Sequence, residues 1–122
     1  MKLKFAWIAL LLYPSLNSFA NEVDIVDVGV SCHAKCNFSV TLKHADSGWD
    51  HYANQWDVLA PDGTVLGTRV LYHPHVNEQP FTRSLGNVLI PKNLSHVFIR
   101  AADSVHGEAS KKFKVDLPSR KQ

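Results

Sequence analysis

Along most of this chain apolar and polar residues alternate with a period of two. Phe38, Val40 and Leu42 alternate with Ser39, Thr41 and Lys43, and Val97, Ile99 and Ala101 with Phe98 and Arg100. Phe113, Val115 and Leu117 alternate with Lys112, Lys114 and Asp116 in the same way. Successive side chains of a strand point to opposite faces, so the pattern predicts strands with one face buried and one wet. Turn chemistry separates the runs at Pro61-Asp62-Gly63-Thr64 and at Pro91-Lys92-Asn93. The spacing predicts seven strands, at about 23–32, 36–44, 53–60, 65–72, 85–90, 95–102 and 111–117, and no stretch carries a helical period. Seven short strands in about a hundred residues predict an all-β fold, a seven-stranded antiparallel β-sandwich of the immunoglobulin or fibronectin type III kind. Trp56, in the third strand, is expected in its core.

The first twenty residues read differently. Lys2 and Lys4 precede an uncharged apolar run from Phe5 to Tyr13, and Ser18-Phe19-Ala20 offers small residues where a signal peptidase cuts. That layout is a secretory signal, with an apolar run too short for a stable membrane span. The expectation is a signal peptide at 1–20 and a single exported domain from Asn21 to Gln122, ending in a short disordered tail at about 118–122. No cysteine follows the cleavage point, so no lipid attachment is expected there.

Export changes the charge picture. The full chain has 13 Lys+Arg against 11 Asp+Glu, and removing Lys2 and Lys4 leaves 11 of each. No basic stripe remains, which argues against nucleic acid as a partner. Cys32 and Cys36 are the two cysteines, and an oxidising compartment favours a disulfide across the first hairpin turn, His33-Ala34-Lys35.

In an up-and-down run of seven strands, alternate connections fall at opposite ends. The short ones (His33-Ala34-Lys35, the Pro61 turn and the Pro91 turn) share one end. The long ones (Ala45–Tyr52, His73–Ser84 and Asp103–Ser110) share the other. Five of the seven histidines, His44, His51, His73, His75 and His106, map to this long-loop end. So do Asp46, Trp49, Asp50, Glu78, Arg83, Asp103 and Glu108. Loops on a rigid sandwich commonly carry binding function.

The sharpest local signal is His73-Pro74-His75. Residues two apart in extended chain share a side, roughly 6.5–7 Å apart. Two such imidazoles can bind one zinc, copper or nickel ion. His106 and His51 are expected to complete the ligand set, with Glu78 or Asp103 as a carboxylate alternative. His44, Asp46, Trp49, Asp50, Glu78, Arg83 and Asp103 then orient the rings or touch a ligand. Two alternatives stand beside this metal reading. The histidines can be hydrogen-bonding struts, or the same loops can form a metal-free module for a protein, peptide or cell-wall ligand. Enzyme chemistry has little behind it: there is no Gly-x-Ser-x-Gly elbow and no His-Glu-x-x-His motif. Asp103, Ser104 and His106 crowd one loop without the separate acid and oxyanion hole of a triad.

The segments HADSGWDHYANQW, DGTVLGTRVLYHPHVNEQPFTRSL and AADSVHG resemble a family of small exported bacterial proteins. The resemblance covers most of the exported part and is most specific in HPHVNEQPFTRSL. It implies a bacterial periplasmic or secreted setting, and no activity comes with it. Periplasmic copper carriers share a β-sandwich but begin their mature chain with a histidine ligand. Here Asn21 stands at that place and Met1 is the sole methionine, so their copper residues are not carried over. The expected partner is a metal ion or a periplasmic protein, bound by a domain that is monomeric or only weakly associating.

Overall fold

The computed structural model describes residues 22–120, so the expected signal peptide at 1–20 lies outside the described residues. Two antiparallel sheets form a sandwich. The first has the order β1-β2-β5, from β1 (Asp24–Cys32), β2 (Cys36–Lys43) and β5 (Phe81–Val88). The second has the order β4-β3-β6, from β4 (Val65–Val70), β3 (Ala53–Leu59) and β6 (His96–Asp103). The outer edge of β6 is covered by two pieces, β7 (Gly107–Glu108) and β8 (Phe113–Asp116). The fold is the expected all-β, immunoglobulin-like sandwich.

The core follows the period-two pattern. Cys36, Phe38, Val40 and Leu42 are buried along β2, and Val97, Ile99 and Ala101 along β6. Trp56 is fully buried between them in β3. Burying side chains of this size is the main favourable contribution to a fold of about a hundred residues.

Two strand boundaries differ from the sequence reading, each for a local reason. The fifth strand begins at Phe81 rather than 85 and ends at Val88. Its first half was disguised by the polar residues Thr82, Arg83 and Ser84. The parity is intact, however: Phe81 pairs with Leu42, Arg83 with Val40 and Leu85 with Phe38. Arg83 therefore shares the face of Phe81, with consequences for the site. A bulge follows, where Asn87 takes φ 58° and its N–H donates to Asn37 Oδ1 at 2.9 Å. The last strand, expected at 111–117, is β8 at Phe113–Asp116, and a further short piece, β7, precedes it on the same edge of β6, within the expected Asp103–Ser110 loop. Between them Ser110 turns away from β6, its N–H and Oγ both donating to Glu22 Oε1 at 2.9 and 2.8 Å.

Arg120 Nη2 donates to the carbonyls of Pro91, Lys92 and Leu94 at 2.9, 3.2 and 2.9 Å, so the chain is pinned as far as Arg120.

Cys32 and Cys36 form the expected disulfide, closing the β1–β2 turn. A cross-link over so few residues removes little unfolded-chain entropy. Replacing both by alanine is expected to lower stability by about 2 kcal/mol, read as a lower urea midpoint with an unchanged slope.

Candidate metal centre at the long-loop end

The long connections meet at one end, as alternation of the loops requires. Asp24, at the start of β1, pairs with Lys43 at the end of β2, and Ala53 pairs with Asp103. Period two then carries the inward face past the strand ends. His44 follows Phe38, Val40 and Leu42 in parity, and Asp103 follows Val97, Ile99 and Ala101. Both are buried, polar residues continuing two apolar rows.

Asp46 is the hub of the first loop. Its Oδ1 accepts from His44 Nδ1 at 2.6 Å and from the Ala53 N–H at 3.0 Å. Its Oδ2 accepts from the His75 N–H at 2.8 Å, joining this loop to the one after β4. Gln79, which sequence reasoning missed, makes a second join. Its Oε1 accepts from the His44 N–H and its Nε2 donates to the His75 carbonyl. Beyond Asp46 the chain makes a tight turn in which Ser47 N–H donates to the His51 carbonyl and His51 N–H to the Gly48 carbonyl. Gly48 has φ 135°, a conformation L side chains rarely adopt. The turn returns His51 to the interior and leaves Trp49 and Asp50 exposed at its tip.

Asp103 is the second hub. Its Oδ1 accepts the backbone N–H of Val105 and His106 at 2.9 and 2.7 Å, and His51 Nε2 and His106 Nδ1 each at 3.1 Å. Burial pushes the Asp103 carboxyl up. The N–H groups of His106 and Val105 and the His106 ring outweigh it, and the carboxyl lies below its usual range. Ser104 ties its loop to the first: Ser104 N–H donates to the Tyr52 carbonyl, and Tyr52 N–H donates to Ser104 Oγ. The His51 ring centroid lies 4.7 Å from that of His44 and 5.0 Å from that of His106. His44, His51 and Asp103 can each offer one ligand atom, all within 4.8 Å of one another.

The expected set of His73, His75, His106 and His51 is therefore divided. His51 and His106 meet at Asp103, whereas His73 and His75 lie beyond Asp46. Their rings do sit side by side, 4.7 Å between centroids, as the spacing predicts. But His75 stacks on Phe81 at 3.9 Å, and its Nε2 accepts from Arg83 Nη2 at 2.8 Å. A guanidinium there occupies Nε2 and repels a cation. The sequence reading treated 81–84 as loop, so this partner of His75 was not visible to it. Glu78 is 3.4 Å from the same guanidinium and half exposed. His44, expected as a support, and Asp103, expected as a support or an alternative carboxylate ligand, belong to the group whose ligand atoms converge.

Burial, then the positive charge of Arg83 and of His73, holds the His75 imidazole below its ordinary 6.5. The unfolded chain thus takes up a proton that the fold resists, and stability falls as pH drops below about 6.5. Asp103 acts in a lower window. Its contribution is complete above the ordinary 3.8 and is lost as pH falls through its depressed folded value. Urea midpoints are expected to decline between pH 7 and 5 and again below about pH 4. His75→Gln should flatten the first decline and leave the second.

No family model matches the sequence, and no solved structure matches it. A protein of Halomicrobium mukohataei described as "Putative lipoprotein" is 38% identical to this chain over 100 residues. The match covers 80% of this chain and 49% of that protein, so the chain spans about half the length of the curated relative it is similar to.

Proposed function

We propose that this is an exported binding protein whose long-loop end holds a divalent transition metal, zinc or copper(II), through His44, His51 and Asp103. The observation that carries the reading is the convergence of these three ligand atoms within 4.8 Å. Tetrahedral zinc with bonds of 2.0–2.2 Å sets its ligand atoms about 3.3 Å apart, so modest side-chain rotation closes the group. Two imidazoles and a carboxylate suit such an ion. Outside cytoplasmic reducing conditions the disulfide is at home, and the relative described as a lipoprotein supports export.

The surroundings are those a ligand set needs. Asp46 accepts from His44 Nδ1 and so directs Nε2 as the nitrogen that reaches a metal. The N–H groups of Val105 and His106 brace Asp103. His51 Nε2 shares a proton with Asp103 Oδ1, and the metal takes that proton's place. His106, whose Nδ1 touches the same carboxylate, stands ready as a further donor.

The test is calorimetric titration of the tag-free domain from Asn21 with zinc and copper(II). One-to-one binding that weakens as pH falls through the imidazole range is expected. His73→Ala should leave the affinity unchanged, separating this ligand set from the His73–His75 pair. A folded domain that gives no heat with either ion contradicts the proposal and leaves the histidines as struts.

A further inference from the structure

Each sheet of a sandwich has two outer strands, and three of the four edges here are closed or blunted. β4 leans on β5 across the gap between the sheets. A Cβ on Gly67 would meet Leu85 at 3.0 Å, and Arg69 Nη1 donates to the Ser84 carbonyl at 2.8 Å. The β5 edge is also broken by the bulge at Asn87. The edge beyond β6 consists of pieces of two and four residues, with Lys111, Lys112 and Lys114 exposed along it. Short, bulged or lysine-bearing edges are how sheets avoid pairing with other chains.

The fourth edge is different. β1 runs nine residues, Asp24–Cys32, and among the described residues only β2 pairs with it. It holds no lysine and no proline. A bulge lies near its start, between Ile25 and Asp27, and from Asp27 to Cys32 the pairing with β2 is regular. Alternate residues there point N–H and C=O groups away from β2, with no strand to receive them. The inward side chains Val28 and Val30 are only partly buried against the core.

The charge along this edge says what fits it. Glu22, Asp24 and Asp27 lie at the start of the strand, and His33 and Lys35 in the turn after it. An antiparallel second β1 lays the acidic start of each copy beside the basic turn of the other. A parallel one would set Asp27 against its own counterpart, and like charges directly opposite are destabilising. A two-fold axis through Gly29, perpendicular to the sheet, keeps the wet faces of both copies on one side. Val28 then faces the second copy's Val30 on the core side, and Asp27 faces the second copy's Ser31 on the wet side. At the axis Gly29 meets its counterpart with no side chain between the two backbones.

We propose that the domain forms a two-fold dimer by antiparallel pairing of its β1 edges. The two three-stranded β1-β2-β5 sheets become one continuous sheet, and the exposed backbone groups of each β1 are satisfied by the other. The contact requires no metal.

The core is built from residues between Val23 and Leu117, so the domain from Asn21 carries all of it and can be tested alone. Sedimentation equilibrium with a chelator present, which removes metal-bridged species, is expected to show a monomer–dimer equilibrium. A Cβ on Gly29 would meet only the Ser39 Cβ, at an ordinary 3.9 Å, so the folded monomer accepts a side chain there. Gly29→Lys sets two ammonium groups opposite each other at the axis. It should weaken dimerisation on the order of tenfold or more, with the domain still folded by circular dichroism. Opposed Cβ atoms lie about 4.5–5.5 Å apart, so Gly29→Cys should cross-link the two copies at this position on mild oxidation. Leu89→Ser, an exposed change just past β5, should leave the equilibrium alone. A monomer at every concentration would overturn the proposal and leave the edge to a different chain. So would a dimer indifferent to Gly29→Lys, or one that Gly29→Cys fails to cross-link.

Discussion

Replacing Asp46 by alanine is expected to destabilise the domain by about 3–5 kcal/mol, an unusually large effect for one loop residue. Its two oxygens satisfy three donors: the His44 ring, the Ala53 N–H and the His75 N–H. Each is buried, and a buried donor stripped of its partner costs about 1–3 kcal/mol. Relaxation and water access reduce the simple sum. Asp46→Asn keeps one acceptor oxygen but presents N–H groups where the other accepted, and is expected to cost about 1–3 kcal/mol. Urea denaturation of the two variants reads this directly. A loss under about 1 kcal/mol for alanine would show that the loops stand without their hub.

The second large effect is on affinity. Removing His44 and His51 together by alanine is expected to weaken zinc binding by well over about 100-fold, past the 10–100-fold typical of losing a supporting partner. Asp46→Asn should fall within that 10–100-fold range, because Asp46 orients His44 without touching the ion. The ordering matters more than the values. If His73→Ala weakened binding more than His51→Ala, the ligand set would be misassigned.

Much of this was written in the alternation of residues. Parity along β2 and β6 predicts the buried rows Phe38-Val40-Leu42 and Val97-Ile99-Ala101. Extended by one step, the same parity points His44 and Asp103 inward at a shared end. Alternation of long and short loops brings His51 and His106 to them. The role of Arg83 was hidden because three polar residues in a row resemble a loop. Only the pairing with β2 shows that it lies in a strand facing His75. Gln79 was hidden for another reason. Its bonds go to the backbone of His44 and the backbone of His75, contacts across loops that no local pattern encodes. The short break between β7 and β8 likewise involves Glu22, 88 residues away from Ser110.

The most direct test of the metal centre is anomalous diffraction at the zinc edge from crystals of the tag-free domain grown with zinc. The account predicts one strong peak about 2.0–2.2 Å from a nitrogen of His44, a nitrogen of His51 and an oxygen of Asp103, with the His51–Asp103 hydrogen bond gone. A peak on the His73–His75 pair, or no peak with that hydrogen bond intact, would contradict it.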